Sequence, residues 1–171
     1  VAFFKKPRFD PPLNLTVVGM NELADLAGQT FSHIISICDT ELKADRGFEK
    51  TLRSAFTGAA LQFSYFDDVE FERADAPDRN AVYRILLFSQ AFTAKDRILI
   101  HCRAGVSRST AIACAVLAQH SPAGKEKEVV AHVRTLRPFM VPNFLIIRLA
   151  DDILQRGGNL VTAVAKARGL D

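Results

Sequence analysis

A short loop of small and polar residues joins an apolar run to an almost wholly apolar helix, and that junction limits the folds open to this chain. Arg97-Ile-Leu-Ile-His101 has an unbroken apolar centre bounded by polar ends, the pattern of a strand covered on both faces. Ser109 to Gln119 is Ala-rich and apolar nearly all round, which predicts a central buried helix. Upstream, Leu15 to Val18, His33 to Cys38 and Leu61 to Phe66 read as further strands, with a helical Asn21 to Ala27 between the first two. Downstream, helical patterns occupy Lys125 to Leu136, Pro142 to Gln155 and Leu160 to Ala167, and another, Asp78 to Phe92, precedes the apolar strand. Strands alternating with helices point to the α/β class.

The 171 residues fit one domain, 1–171, with no internal repeat or linker. Residues 1–13, with Phe3, Phe4, Lys5, Lys6, Pro7, Pro11 and Pro12, read as an extended arm. Lys and Arg number 22 against 19 Asp and Glu, a net charge of +3 that is too mild for a nucleic-acid coat. Apolar stretches such as Ala111 to Ala118 are too short to span a membrane, and no signal-peptide core opens the chain, so the expected location is the cytoplasm. Three cysteines, Cys38, Cys102 and Cys114, form no C-x-x-C pair. That disfavours a disulfide scaffold and turns attention to a functional thiol.

The loop itself reads His101-Cys102-Arg103-Ala104-Gly105-Val106-Ser107-Arg108-Ser109-Thr110. A tight turn feeding a helix N-terminus fans its backbone N–H groups toward one point, and Gly105 permits the close approach this needs. Residues 103–108 should therefore cradle a phosphate-sized anion, with Arg108 closing the nest through a two-pronged hydrogen bond. The helix dipole, the N–H fan and Arg108 all favour a thiolate at Cys102. A thiolate beneath a phosphoryl group can attack phosphorus in line and form a cysteinyl-phosphate for water to hydrolyse. Ser109 is placed to donate to the departing thiolate, and His101 to anchor the loop from behind.

This segment matches H-C-x-x-G-x-x-R-[S/T] and strongly resembles the signature of the cysteine-dependent protein tyrosine phosphatase superfamily, nearest its compact dual-specificity-like members. In a chain of this composition the five fixed positions arise by chance about 3 × 10⁻⁵ times. The resemblance implies a phosphatase-type α/β fold with a central, mostly parallel sheet of about 4–5 strands flanked by helices, and no metal or organic cofactor. It implies a phosphorylated protein or peptide as partner, phosphotyrosine first and phosphoserine or phosphothreonine as well, with no nucleic acid. Phosphoinositide or RNA 5′-phosphate substrates, and a non-catalytic phosphate-binding adaptor, stay open as alternatives. Phosphoinositide-selective relatives usually carry Lys within the loop, where this chain has Ala104 and Val106; Arg103 adds charge at the rim.

The family also implies a carboxylic acid on a loop after a strand, to protonate the leaving group. Asp68, 34 positions before Cys102, is the first choice and Asp67 the second, ahead of Glu70, Asp75 and Asp78. Arg137-Pro138 and Pro142-Asn143 resemble a segment whose Asn packs against the phosphate loop, which gives Asn143 a supporting role beside its alternative as a helix cap. Some members protect the nucleophile by a disulfide. Cys38 ends a strand expected to emerge beside that of Cys102, on the same face, and is the candidate redox partner. Cys114 reads as core. A metal site built from Cys102, His101, His120 and His132 lacks ligand spacing, and His33 reads as a satisfied strand-edge histidine.

Overall fold

The computed structural model describes residues 8–170. Four strands, β1 (Asn14–Gly19), β2 (His33–Cys38), β3 (Ala60–Tyr65) and β4 (Arg97–Cys102), form one sheet in the order β1-β4-β2-β3, and every neighbouring pair is parallel. The sheet is flanked by α1 (Arg46–Ala55), α2 (Arg79–Ser89), α3 (Arg108–Gln119), α4 (Glu126–Leu136), α5 (Phe144–Ile153) and α6 (Asn159–Ala167).

β4 lies inside the sheet, and its apolar run alternates between two cores. Ile98 and Ile100 join the larger cluster with side chains of α2 to α6, while Leu99 joins a smaller one with Ile34, Leu52 and Phe56. All three β4 side chains are fully buried, each contributing about 1.5–3 kcal/mol relative to exposure. α3 is buried from Arg108 to Ala118, as its apolar circumference requires.

Two segments differ from the sequence reading. The helix α1 was not anticipated, because its residues are mostly charged and polar. Its apolar side is Phe48 and Leu52, continued by Phe56 just beyond its last residue, and these cover the smaller core; Asp45 caps its start by accepting from the Gly47 amide at 2.8 Å. Residues 20–26 form a 3₁₀ helix rather than an α-helix and bury no side chain fully, so little packing selects the longer form. Of the N-terminal arm, Phe3, Phe4, Lys5, Lys6 and Pro7 lie outside the described residues. Its remainder has no regular structure before Asn14, rests Phe9 against His132 of α4 at 6.2 Å and buries Leu13. Among the described residues, no helix is long and apolar enough to cross a membrane.

Parallel strands bring their carboxyl ends to one edge. Register pairs Gly19 with Cys102, and β2 ends beside them, so residues 19–22, 38–41 and 102–108 converge where open α/β sheets bind ligands.

Candidate active site

The loop from Cys102 to Arg108 closes around the Cys102 sulfur. The Gly105 amide donates to Cys102 Sγ at 3.3 Å, and Ser109 Oγ lies 3.1 Å from it. Gly105 has φ of +69°, and a Cβ there would lie 2.4 Å from the Gly19 nitrogen and 2.5 Å from the Val18 carbonyl carbon. Backbone packs directly on backbone at this point, so only glycine fits for both reasons. Gly105→Ala is expected to destabilise the fold by roughly 3 kcal/mol, read as a lower urea midpoint; an unchanged midpoint would contradict this packing.

Behind the loop, Arg137 donates from Nε to the Gly105 carbonyl at 2.9 Å and grips Glu22 with both terminal nitrogens, at 2.8 and 2.9 Å. Those bonds hold the Glu22 carboxyl below its usual pKa. The far side is pinned by the segment before α5, where the Val141 amide donates to the Val106 carbonyl and the Asn143 amide to the Ser107 carbonyl.

Arg108 is 3% exposed. One terminal nitrogen donates to the Phe66 carbonyl at 2.8 Å and lies 2.6 Å from Asp39 Oδ1, while Nε finds no hydrogen-bond partner among the described residues. Asp39 also accepts from Arg103 at 2.7 Å. Burial works against the Asp39 carboxylate, yet hydrogen bonds from Arg103 and Arg108 outweigh it and keep its pKa below the ordinary range. Arg103 is largely exposed and reaches Glu41 as well, at 3.6 Å. Sequence reasoning missed Asp39, Glu22 and Gly19. An acidic residue directly after a strand was the available signal for Asp39.

The loop after β3 covers the site. Asp68 Oδ1 accepts from Ser107 Oγ at 2.7 Å and from Asn143 Nδ2 at 2.9 Å, so its carboxyl hangs over the cysteine loop. Asn143 also caps α5, accepting from the Ile146 amide at 3.1 Å. Asp67 makes no such hydrogen bond to the loop among the described residues and instead accepts from the Thr40 amide and hydroxyl at 2.8 and 2.9 Å. Glu70 binds the Phe144 amide, Asp75 pairs with Arg73 and Asp78 caps α2 through the Ala81 amide. Together Asp39, Thr40, Glu41, Asp67, Asp68 and the loop line a cleft of about 610 Å³ with Cys102 in its wall.

His101 is fully buried, edge-on to Phe48 at 5.9 Å. Neither ring nitrogen has a hydrogen-bond partner among the described residues. Burial pushes its pKa down to about 4, against a smaller opposing effect of the Cys102 backbone, and the ring is neutral. Cys38 does not share the face of Cys102 that the sequence suggests. Ser36 pairs with His101, so continued register sets Ile37 beside Cys102 and turns Cys38 to the opposite face, 3.4 Å from Ser36 Oγ. Both thiols are free, and burial pushes the Cys38 thiol up. Cys114 is buried within α3. His120 meets the Ser89 carbonyl at 2.8 Å, and His33 lies 3.4 Å from Asp96. Among the described residues, no group of three or more His, Cys, Asp and Glu is gathered to hold a metal ion.

Comparison with known proteins agrees with this architecture. Tk-PTP in its active form is 20% identical and aligns over 90% of this chain and 99% of its own at a TM-score of 0.58. The Yvh1 phosphatase domain from Chaetomium thermophilum is 25% identical over 85% of this chain and 93% of its own, at 0.57. PTPMT1 in complex with PI(5)P is 14% identical over 90% and 94%, at 0.55. None of the curated proteins matches the chain. The family model of the dual specificity phosphatase catalytic domain matches residues 61–150, more than half of the sequence, from β3 through the cysteine loop into α5. With that match, the chain belongs to the dual specificity phosphatase family of cysteine-dependent phosphatases.

Proposed function

We propose that the protein is a protein phosphatase acting on phosphotyrosine, with phosphoserine and phosphothreonine also admitted, through a cysteinyl-phosphate on Cys102. The observation that carries this reading is the arrangement around one sulfur: a loop amide donating to it, a serine hydroxyl within hydrogen-bond reach of it, and Asp68 suspended above the same loop.

The Cys102 thiolate attacks phosphorus as the bond to the leaving oxygen breaks, and Asp68 gives that oxygen its proton. The loop amides and Arg108, through its unpaired Nε, carry the charge on the equatorial oxygens. Water then attacks the phosphocysteine with Asp68 taking its proton, and the Ser109 hydroxyl donates to the departing sulfur. Asp68 is favoured over Asp67, whose carboxylate is committed to Thr40.

A protein substrate is favoured over a phosphoinositide or an RNA end by the charge at the mouth. Asp39, Glu41, Asp67 and Asp68 line it against Arg103 and Arg108, and Arg103 is already paired with Asp39 and Glu41. A headgroup or RNA bearing further negative charges meets net repulsion there. The adaptor reading loses ground because Cys102 and Asp68 serve no purpose in binding alone.

The test is hydrolysis of a phosphotyrosine peptide, a phosphothreonine peptide and a phosphoinositide from about pH 4.5 to 8. The peptides should be turned over faster, and Asp68→Asn should lower kcat about 10²–10³-fold on phenyl phosphate while Asp67→Asn changes it far less. Faster turnover of the phosphoinositide would overturn the substrate reading, and an equal effect of the two substitutions would overturn the acid.

A further inference from the structure

The loop that holds Asp68 is short of regular structure, yet a general acid must be held within a fraction of an ångström to deliver its proton. Two residues beyond Asp68, the Glu70 side chain accepts from the Phe144 amide, the first of α5, at 2.8 Å, and from Arg168 at 2.5 Å. The Glu70 carbonyl accepts from Arg148 at 3.2 Å, and Arg168 also donates to the Pro142 carbonyl at 3.2 Å. Both guanidiniums lie over the Phe144 ring, at 6.0 and 5.4 Å. From the other direction, Asn143 at the head of α5 donates to Asp68 and, at 3.0 Å, to the Val69 carbonyl. Loop and helix are thus stapled reciprocally: the helix cap holds the acid, and the loop carboxylate satisfies the helix's first amide.

We propose that Glu70 and Arg168 are positioning residues that fasten the Asp68 loop to the end of α6 and set the acid's height over the phosphate loop. This rests on Asp68 being the acid. The pair is about half exposed on the glutamate side, so its contribution to stability is small. Its effect falls on proton delivery, because a shift of the loop changes the distance to the leaving oxygen.

Leaving-group dependence separates the two roles. Phenoxide needs a proton as it departs, whereas dinitrophenoxide does not. In Glu70→Gln and in Arg168→Gln, the ratio of kcat on phenyl phosphate to kcat on dinitrophenyl phosphate should fall about tenfold, while the thermal midpoint moves by no more than about 4 °C. Arg168→Lys, keeping the charge, should recover part of the ratio, and the double variant should be no worse than either single one. Asp68→Asn in parallel should lower the same ratio further. If Asp68→Asn lowers the ratio and the latch variants do not, the latch is wrong and the acid stands. If Asp68→Asn leaves the ratio unchanged, both fail. An equal loss on the two substrates in the latch variants marks collapse of the site and also overturns the proposal; should Glu70→Gln not fold, Arg168→Gln and Arg168→Lys, at the end of α6, carry the test.

Discussion

Cys102→Ser is expected to lower kcat on p-nitrophenyl phosphate by about 10⁴-fold or more, a barrier increase of about 5.5 kcal/mol, while inorganic phosphate or vanadate still binds. The hydroxyl is a far weaker nucleophile than a thiolate, but the groups that hold the anion are untouched by the change. The loop amides, Arg108 and the Arg137 clamp remain, and the smaller oxygen still faces the Gly105 amide and Ser109. Turnover and binding should therefore separate. A serine variant retaining turnover within tenfold of the parent would mean that phosphorus is attacked by something else. Loss of anion binding along with turnover would mean that the sulfur itself holds the loop open.

The second large effect is expected from Arg108→Lys, which keeps the charge and loses the shape. A guanidinium can satisfy Asp39 and the Phe66 carbonyl from one nitrogen and still direct Nε toward an equatorial oxygen; an ammonium has neither the reach nor the fork. The expected loss in kcat/KM is about 10³-fold, or about 4 kcal/mol, with the fold retained because the cation still faces Asp39. A loss below tenfold would show that the charge alone suffices and would remove the role given to Nε. The same reasoning explains why Asp39 carries so much of the site: its bonds to Arg103 and Arg108 set the position of one loop arginine by means of another.

What the sequence disclosed is what contiguous residues can encode. β4, the cysteine loop and α3 are consecutive, so one stretch carried the strand, the anion nest and the buried helix. For the candidate acid the sequence ranks two neighbouring aspartates ahead of Glu70, Asp75 and Asp78 without separating them in space, because a one-residue step decides which side chain meets the cysteine loop and which meets Thr40, and that step is set by partners far away in sequence, Ser107 and Asn143. Parity also defeated the placement of Cys38: a shared strand direction was legible, but the face depends on register, which no single strand reveals. Glu22 was invisible for the same reason, since its partner Arg137 is 115 residues away. α1 went unread because three apolar side chains are a weak signal until the sheet they cover is known.

The backbone contact between Gly19 and Gly105, with Arg137 closing it from behind, ties catalytic competence to the order in which the chain assembles. Residues from β1, from the ends of β2 and β3, from the loop after β4 and from the segments flanking α5 must all arrive before Cys102 has its surroundings. Loop closures of this length are late and costly steps in folding. A partly folded chain with only β4 and α3 joined would carry Cys102, the proposed nucleophile, without Asp39 beside Arg108 or Arg137 beneath the loop. The enzyme is thereby silent until its whole sheet has closed, and recovery of turnover during refolding reports completion of the fold rather than formation of the motif.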